Sequence, residues 1–404
     1  MKCGFCTFWC PVYQEERVES SVARGKNMII RALASGELEF TKELAERLNQ
    51  CTLCMACTVN CPARVQIPPV IVAARADSAR ARGIGFPYNI IYRWLLPRRR
   101  LFGSVVRIAS WFQRLLPRTR GTIRHLPLFL SALGKGRQIP QIAPRFLRQV
   151  VPVVNKPRGT AVMRVGYFSG CMTEFVFPGV GKKIVDFLTR NGVEVVVPRE
   201  QGCCGAPVFL GAGDFKTGRK LADTNVKAFE HFDYVITDCA TCGSAMKDYV
   251  KFLADTPERQ QAYSKFAEKI TDITEFLVNV LKLPASAYRV LPRFKGKRVT
   301  WHDPCHLSRH MGITEPPRQI LKSIPDIEYV EMPEADRCCG MAGTFSIQFY
   351  DLSQKIADRK MASIDATGAD IVVTGCPGCE VQLTSSATRR GRPVEVMHIM
   401  ELLE

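Results

Sequence analysis

The sequence predicts a mixed fold, in which an α-helical N-terminal module is followed by two repeated α/β domains with parallel sheets. Three observations lead to this prediction. Seven of the 17 cysteines fall within residues 3–61, around a helical hydrophobic pattern. A cysteine-free segment rich in arginine and proline follows. Beyond residue 163, short β-rich runs alternate with helical patterns in two copies, which is typical of parallel α/β units.

The composition is that of a globular protein, with 46% hydrophobic and 23% charged residues. The chain opens without the apolar core of a signal peptide, so we expect a cytoplasmic protein. In that compartment, cysteines spaced two residues apart indicate metal or redox sites rather than disulfides. No uncharged apolar stretch reaches the roughly 18 residues that a membrane-spanning helix requires.

The helical pattern of the module covers residues 19–50, and we expect Gly36 to interrupt it. Its apolar face consists of Leu33, Leu38, Leu44, Ala45 and Leu48.

Two cysteine runs enclose this helical pattern. The second, CTLCMACTVNCP, has the C-x2-C-x2-C-x3-C-P spacing of a ferredoxin-type [4Fe–4S] motif and contributes Cys51, Cys54, Cys57 and Cys61. The first, CGFCTFWCP, contributes only the last three cysteines of that spacing, which are Cys3, Cys6 and Cys10. The remaining cysteine would precede Met1, and we expect a longer natural chain to carry it. Without it, the first cluster would be labile or of the [3Fe–4S] type.

In two-cluster ferredoxins the fourth cysteine of each run binds the other cluster. This rule assigns one [4Fe–4S] cluster to Cys10, Cys51, Cys54 and Cys57. It assigns the other cluster to Cys3, Cys6, Cys61 and the missing cysteine. A structural zinc site is the alternative, but zinc ribbons use separated C-x2-C pairs rather than four cysteines in eleven residues.

The central segment carries the whole charge imbalance of the chain. Residues 78–173 contain 18 Lys and Arg and no Asp or Glu, which equals the formal net charge of +18. The arginines alternate with apolar residues and with Trp94, Trp111 and Phe129. We expect an amphipathic helix at an anionic membrane surface. A docking surface for an acidic partner and a packed helical linker are the alternatives. No nucleic-acid-binding module accompanies the charge, so we expect no nucleic-acid partner.

The two α/β copies each contain five cysteines at nearly constant offsets of 134 to 137 residues. The first cysteine set is Cys171, Cys203, Cys204, Cys239 and Cys242, and the second cysteine set is Cys305, Cys338, Cys339, Cys376 and Cys379. Predicted strands cover residues 165–169, 194–197, 234–237, 298–301, 328–330 and 371–374. Several of the cysteines then follow strand ends, where open parallel sheets place their ligand sites. Gly205 and Gly340, after the vicinal pairs, suit a tight turn or a close approach to a ligand.

These cysteine patterns resemble the cysteine-rich CCG domain of heterodisulfide reductase and its relatives. The whole arrangement is similar to the iron–sulfur subunit of glycolate oxidase. It is also similar to the C subunit of anaerobic glycerol-3-phosphate dehydrogenase and to the D subunit of heterodisulfide reductase. The motifs that carry the resemblance are CGFCTFWCPVYQ, ARGKNMII, CTLCMACTVNCP, CCGMAGTF and the two C-x2-C ends. ARGK at residues 23–26 and TFWCPVYQ favour the glycolate oxidase branch.

The resemblance implies that each of the two cysteine sets binds a further iron–sulfur cluster, which is non-cubane in heterodisulfide reductase. It also implies an electron-transfer subunit of a flavin-dependent glycolate or D-lactate dehydrogenase, peripheral on the inner face of the membrane. Its partners would be an FAD-containing subunit and a quinone or another acceptor. The alternatives are a heterodisulfide reductase-type subunit, whose CCG-bound cluster is itself catalytic, and an electron carrier like the C subunit of glycerol-3-phosphate dehydrogenase.

No nucleotide-binding motif accompanies the cysteines. GAGD at residues 211–214 lacks the third glycine of a dinucleotide fingerprint, so we expect neither flavin nor nicotinamide on this chain. His302 and His306 flank Cys305 and suit hydrogen bonds to a cluster, proton relay or simple satisfaction by local backbone. The predicted domains are residues 1–82, 83–160, 161–292 and 293–404.

Overall fold

The computed structural model describes residues 3–113 and 140–404. It also gives the backbone of the short strands Arg118–Thr119, Thr122–Ile123 and Ile139–Pro140, which form one antiparallel sheet. Phe129, one of the aromatic residues of the predicted amphipathic segment, lies outside the described residues.

The N-terminal module is a bundle of short helices around a small core. Its helices are Phe5–Trp9, Pro11–Glu16, Ala23–Ala34, Lys42–Asn49, Ala56–Val59 and Ile67–Arg82, with a 3₁₀ turn at Glu19–Ser21. Gly36 adopts a φ of +77° in the break between the third and fourth helices, as the sequence predicts. The core residues are Ala23, Leu48, Ile67, Ile71 and Ala74.

The described part of the basic segment is mainly helical between residues 88 and 112, with one further short helix after residue 146. It contains the helices Tyr88–Ile90, Ile91–Leu95, Arg99–Phe112 and Leu147–Val150. We call Arg99–Phe112 the basic helix. No helix in the described ranges has both the length and the apolar character needed to cross a bilayer.

The first α/β domain has a five-stranded sheet. Its strand order is Val154–Asn155, Val193–Val196, Met163–Phe168, Val235–Thr237 and Ile270–Asp272. All pairs are parallel except that of the first edge strand, which is antiparallel. The parallel sheet is therefore confirmed, whereas both edge strands escaped sequence analysis. The helices of this domain are Gly170–Phe175, Pro178–Arg190, Pro207–Gly211, Phe215–Ala228, Ala240–Lys247, Tyr249–Phe252, Pro257–Lys269, Ile273–Glu275 and Phe276–Val280.

The second α/β domain repeats this plan with four parallel strands. Their order is Ile327–Val330, Lys297–His302, Ile371–Thr374 and Glu395–His398. The helices are His306–His310, Glu315–Ser323, Phe345–Gln348, Tyr350–Asp365, Pro377–Arg389 and Ile399–Leu402, with 3₁₀ turns at Ala285–Ala287 and Pro292–Phe294.

The two α/β domains contact each other directly. The backbone N–H of Ala240 donates to the carbonyl of Gly375 at 3.1 Å, which joins two cysteine-bearing loops. At the chain end, Lys183 Nζ donates to the carbonyls of Glu401 and Leu403, each at 3.0 Å. The cysteine-bearing loops of the two sheets therefore meet.

Arg75 joins the module to the first α/β domain. Its buried guanidinium donates to the module carbonyls of Leu48, Asn49 and Cys51 at 3.0, 3.2 and 2.7 Å. It also donates to the carbonyl of Leu210 in the first α/β domain at 3.0 Å. Because these acceptors belong to two units, one side chain fixes their relative position.

We predict that Arg75→Met lowers the stability of the full chain by about 2–4 kcal/mol, because four carbonyls lose their shared donor, a loss that outweighs the gain from removing one buried charge. Chemical denaturation, with limited proteolysis to detect release of the module, measures the effect. Arg80→Met is the matched control, since that side chain is 78% exposed. Equal denaturation midpoints for the two variants would contradict the role given to Arg75.

Candidate metal centres

The two cysteine sets share one partly open cavity of about 270 Å³. All ten of their cysteines line it, together with Cys51 of the N-terminal module. From the sequence we expect two separate sites, because 134 residues separate Cys171 from Cys305. The contact between the two domains brings them together.

The cysteines reach this cavity because they lie at strand ends or first helical turns. Cys239 and Cys376 precede the helices Ala240–Lys247 and Pro377–Arg389 as their N-caps. Cys171 and Cys305 lie just after the strands that form the centre of each sheet. A helix N-terminus offers unpaired N–H groups and a positive dipole end, which favour a thiolate or an anionic ligand.

The vicinal pairs have the same local geometry in both repeats. The N–H of Gly205 donates to Cys203 Sγ at 3.4 Å, and the N–H of Gly340 donates to Cys338 Sγ at 3.4 Å. Both glycines have a positive φ, of +78° and +87°. A Cβ at Gly340 would lie 2.6 Å from the carbonyl oxygen of Ser353. The tight turn expected from the sequence is therefore present at both positions.

The thiols form a nearly continuous series. In the first set, Cys204 contacts Cys203 and Cys242, and Cys242 contacts Cys239. Cys239 in turn contacts Cys376 of the second set, so the series crosses between the domains.

Within the second set the series continues to the module. Cys379 contacts Cys376 and lies 3.3 Å from Cys339, measured between the sulfur atoms. Cys338 contacts both Cys339 and Cys305. The series of contacts then reaches the N-terminal module, because the side chain of Cys54 packs together with those of Cys338 and Cys305.

Four module cysteines surround a second, smaller cavity of about 30 Å³. They are Cys10, Cys51, Cys54 and Cys57, the group that the spacing rule assigns to one cluster. Burial raises the pKa of the Cys10 thiol, and it raises the pKa of Cys54 to about 12. Deprotonation of such thiols requires a positive neighbour or a metal ion.

Cys3, Cys6 and Cys61 lie at the outer edge of the module. Cys3 is exposed, and the other two are half-buried. The helices Phe5–Trp9 and Ala56–Val59 contact each other beside them. None of these three thiols lines the small cavity that the other four surround.

Two buried cations beside the module cysteines have no carboxylate partner among the described residues. Lys26 is 2% exposed, lines the smaller cavity and donates to the carbonyl of Ser21. Burial lowers the pKa of Lys26, while Cys51 and Cys10 raise it. Burial likewise lowers the pKa of Arg75, and the Cys51 thiol raises it. Sequence analysis noted Lys26 only as part of ARGK and missed Arg75.

The two cysteine sets have cations of their own. Arg99, at the start of the basic helix, lies near Cys171, Cys203 and Cys242 and makes a 3.6 Å ion pair with Glu174. In the second set, Arg309 donates to the carbonyl of Cys54 at 3.3 Å and to Asp336 at 2.8 Å.

Lys360 is fully buried near Cys339 and Cys379 and donates to the carbonyls of Glu334 and Ala335 at 2.9 and 2.8 Å. A sequence pattern does not distinguish such cations from surface ones.

The chemistry of this donor set fits anionic metal–sulfur groups. All 17 cysteines are free and nine of them are buried. Beside the module cysteines, the buried cations Lys26 and Arg75 lack a carboxylate partner among the described residues. Thiolates bound to iron would supply both the missing negative charge and the missing thiol partners. The fold and the site therefore define a protein that carries several iron–sulfur centres.

Comparison with known proteins leads to the family. The family described as a 4Fe-4S dicluster domain matches residues 1–65, and the CCG cysteine-rich domain matches residues 165–247 and 299–384. The chain is 32% identical to a probable glycolate oxidase iron-sulfur subunit from Bacillus subtilis (strain 168), over 100% of this chain and 92% of that protein. It is 33% identical to lactate utilization protein A of Geobacillus sp. (strain WCH70), over 60% of this chain and 99% of that protein.

A crystal structure of a hypothetical protein from Helicobacter pylori shares the fold. It has a TM-score of 0.55 at 11% identity, covering 93% of this chain and 66% of that one. The chain thus belongs to the family of CCG-domain iron–sulfur proteins that includes the probable glycolate oxidase iron-sulfur subunit.

We predict that Lys26→Met stabilises the metal-free protein but lowers the reduction potential of the cluster-loaded module. In the metal-free protein the variant removes an uncompensated buried charge, and stability rises by about 1–3 kcal/mol. In the cluster-loaded protein it removes a favourable charge, and the module's potential falls by roughly 40–90 mV, or about 1–2 kcal/mol. Thermal unfolding and an EPR-monitored redox titration measure these changes.

The control for this prediction is Lys42→Met, because the Lys42 side chain is 74% exposed. A loss of stability in the metal-free variant, or an unchanged reduction potential in the cluster-loaded one, would show that Lys26 does not balance the charge of the metal centre.

Proposed function

We propose that this chain is the iron–sulfur electron-transfer subunit of a flavin-dependent 2-hydroxy-acid dehydrogenase of the glycolate or D-lactate type. The observation that carries the proposal is the direct contact between the module and the second cysteine set. There Cys54 packs against Cys305 and Cys338, so centres bound by the two groups would be neighbours. Iron–sulfur clusters, when bound, supply one-electron transfer between a two-electron flavin and an acceptor. The names of the relatives, glycolate oxidase iron-sulfur subunit and lactate utilization protein A, support the substrate class.

The chain's own residues would divide the binding of these clusters as follows. Cys10, Cys51, Cys54 and Cys57 would hold one [4Fe–4S] cluster. Cys3, Cys6 and Cys61 would hold the second with a fourth ligand from outside the described residues. Each of the two cysteine sets would hold one further cluster. The four inner module cysteines have the firmest structural support, because they surround a single small cavity.

The positions of the charged residues favour this role. Buried cations accompany the inner module cysteines and both cysteine sets, and they stabilise the added negative charge of a reduced centre. Arg309 contacts the backbone of Cys54 and stands near Cys305, so it spans the junction between module and second repeat. The partners of such a subunit would be an FAD-containing dehydrogenase subunit and a quinone or another carrier.

One observation favours a second candidate function. The 270 Å³ cavity between the cysteine sets is partly open and has largely apolar walls with Met341 and Pro207 among them. A small disulfide could enter and be reduced there, as the resemblance to heterodisulfide reductase implies. In that case the second cysteine set would act on substrate directly.

We predict that Cys338→Ser separates these candidates. In the assembled dehydrogenase the variant should slow acceptor reduction at least tenfold, while the hydroxy acid still reduces the flavin at the normal rate. Stopped-flow absorbance resolves the two steps. Met341→Leu, a cavity variant that keeps every thiol, is the control and should retain both rates. If the unmodified protein reduces a disulfide and Cys338→Ser abolishes this activity, the second candidate function is established instead.

The basic helix has an exposed apolar face suited to a membrane surface. Its exposed apolar residues are Leu101, Val105, Ile108, Trp111 and Phe112, with Trp94 nearby. The opposite face is fixed to the body of the protein, where Phe102 packs edge-on against Phe175 at 5.3 Å between ring centroids. Arginines flank the apolar face, and Arg98 stacks over Trp94 at 4.6 Å. We propose that this face binds an anionic bilayer.

We predict that the double substitution Ile108→Ser and Trp111→Ser weakens binding to vesicles containing phosphatidylglycerol at least tenfold, because two apolar side chains no longer insert. Co-sedimentation measures the binding, with neutral phosphatidylcholine vesicles as the reference. Val162→Ser serves as control, since Val162 is 72% exposed but lies outside the basic helix. Unchanged sedimentation of the double variant would contradict the proposed membrane contact.

A further inference from the structure

The two repeats differ at one position beside their cysteine sets. The strands Met163–Phe168 and Lys297–His302 are equivalent, and in each a cysteine follows three residues after the last strand residue. The last residue is Phe168 in the first repeat and His302 in the second. Both side chains are fully buried. A buried phenyl ring needs no polar partner, whereas a buried imidazole does.

His302 lies against two sulfur atoms of the second set. A ring nitrogen of His302 and the Sγ atoms of Cys339 and Cys379 all lie within 4.8 Å of one another. The histidine reaches them from the end of its strand, behind the cavity wall. Three soft or borderline donors at this separation are suited to a transition metal.

The ring of His302 has no adequate hydrogen-bond partner among the described residues. Neither ring nitrogen of His302 makes a hydrogen bond of normal geometry within the described residues, although the carbonyl of Ala335 lies close enough to favour a proton on the ring. Lys360, the neighbouring cation, donates to the carbonyls of Glu334 and Ala335 instead. A buried nitrogen without a hydrogen-bond partner is unfavourable, so a partner is expected.

A metal ion is the partner that matches the chemistry. A neutral imidazole has one N–H donor and one nitrogen with a lone pair. The carbonyl of Ala335 already accepts from Lys360 Nζ at 2.8 Å and from the N–H of Asp303 at 3.0 Å, so it is only a shared acceptor for the ring N–H. Thiolates that bind iron have no proton to donate to the lone pair, whereas a metal ion accepts it.

We propose that His302 is a nitrogen ligand of the metal centre held by the second cysteine set. This proposal rests on the proposed function, which assigns an iron–sulfur centre to each set. The two centres are then chemically different, since the first has thiolates alone and the second adds a neutral imidazole.

The experiment uses the full chain, purified without oxygen and labelled with ¹⁵N only at histidine. Pulsed EPR of the reduced second centre should show the hyperfine coupling of a directly bonded nitrogen. His302→Phe, which copies the first repeat, should lose this coupling while the iron–sulfur signal of that centre remains. His306→Asn is the matched control from the same segment, because His306 hydrogen-bonds to Ser244 at 2.6 Å, and it should keep the coupling.

Several results would overturn the inference. Coupling that survives in His302→Phe assigns the nitrogen to another residue. If the ¹⁵N coupling is weak and is accompanied by a coupled proton that exchanges in D₂O, His302 is a hydrogen-bond donor to sulfur and not a ligand. The spectrum of the unsubstituted protein decides between ligand and donor even if His302→Phe fails to fold. Iron–sulfur signals without bonded nitrogen refute only this inference, whereas absence of iron and sulfide refutes the proposed function as well.

Discussion

The guanidinium of Arg75 lies in the interior between the helical module and the first α/β domain, where backbone carbonyls accept its hydrogen bonds. The group that favours its charge most within the described residues is the Cys51 thiol. The Cys51 thiol likewise favours the charge of Lys26, by raising its pKa. Buried cations of this kind are tolerated only where negative charge is bound beside them. The module, its docking on the repeats and its metal chemistry therefore depend on one balance of buried charge.

The repeated architecture explains how ten cysteines reach one cavity. A parallel sheet places the carboxyl ends of its strands on one edge, and each repeat carries its cysteines at that edge. Because the two edges face each other, Cys239 contacts Cys376 across the domain boundary. Duplication of the domain thus produced one composite site. Single substitutions, such as Phe168 in one repeat and His302 in the other, then make its halves different.

Sequence analysis succeeded where a local pattern determines the outcome. The central strands of both sheets and the break at Gly36 follow from a few neighbouring residues. It failed for the edge strands Val154–Asn155 and Ile270–Asp272, which are too short to show an alternating pattern and form by pairing with an existing sheet. The sequence also could not show that the imidazole of His302 is buried without a hydrogen-bond partner among the described residues, since burial is not a local property.

By itself, the sequence determined the chemistry of this protein: iron–sulfur binding by two kinds of cysteine motif, on a helical module and two α/β repeats. Only the tertiary structure decided which cysteines are neighbours. It joined Cys54 to the second cysteine set and placed both sets around one cavity. The physical reason is that ligand spacing along the chain is a covalent property, whereas the contact between distant thiols depends on how separately formed domains bury their surfaces against each other.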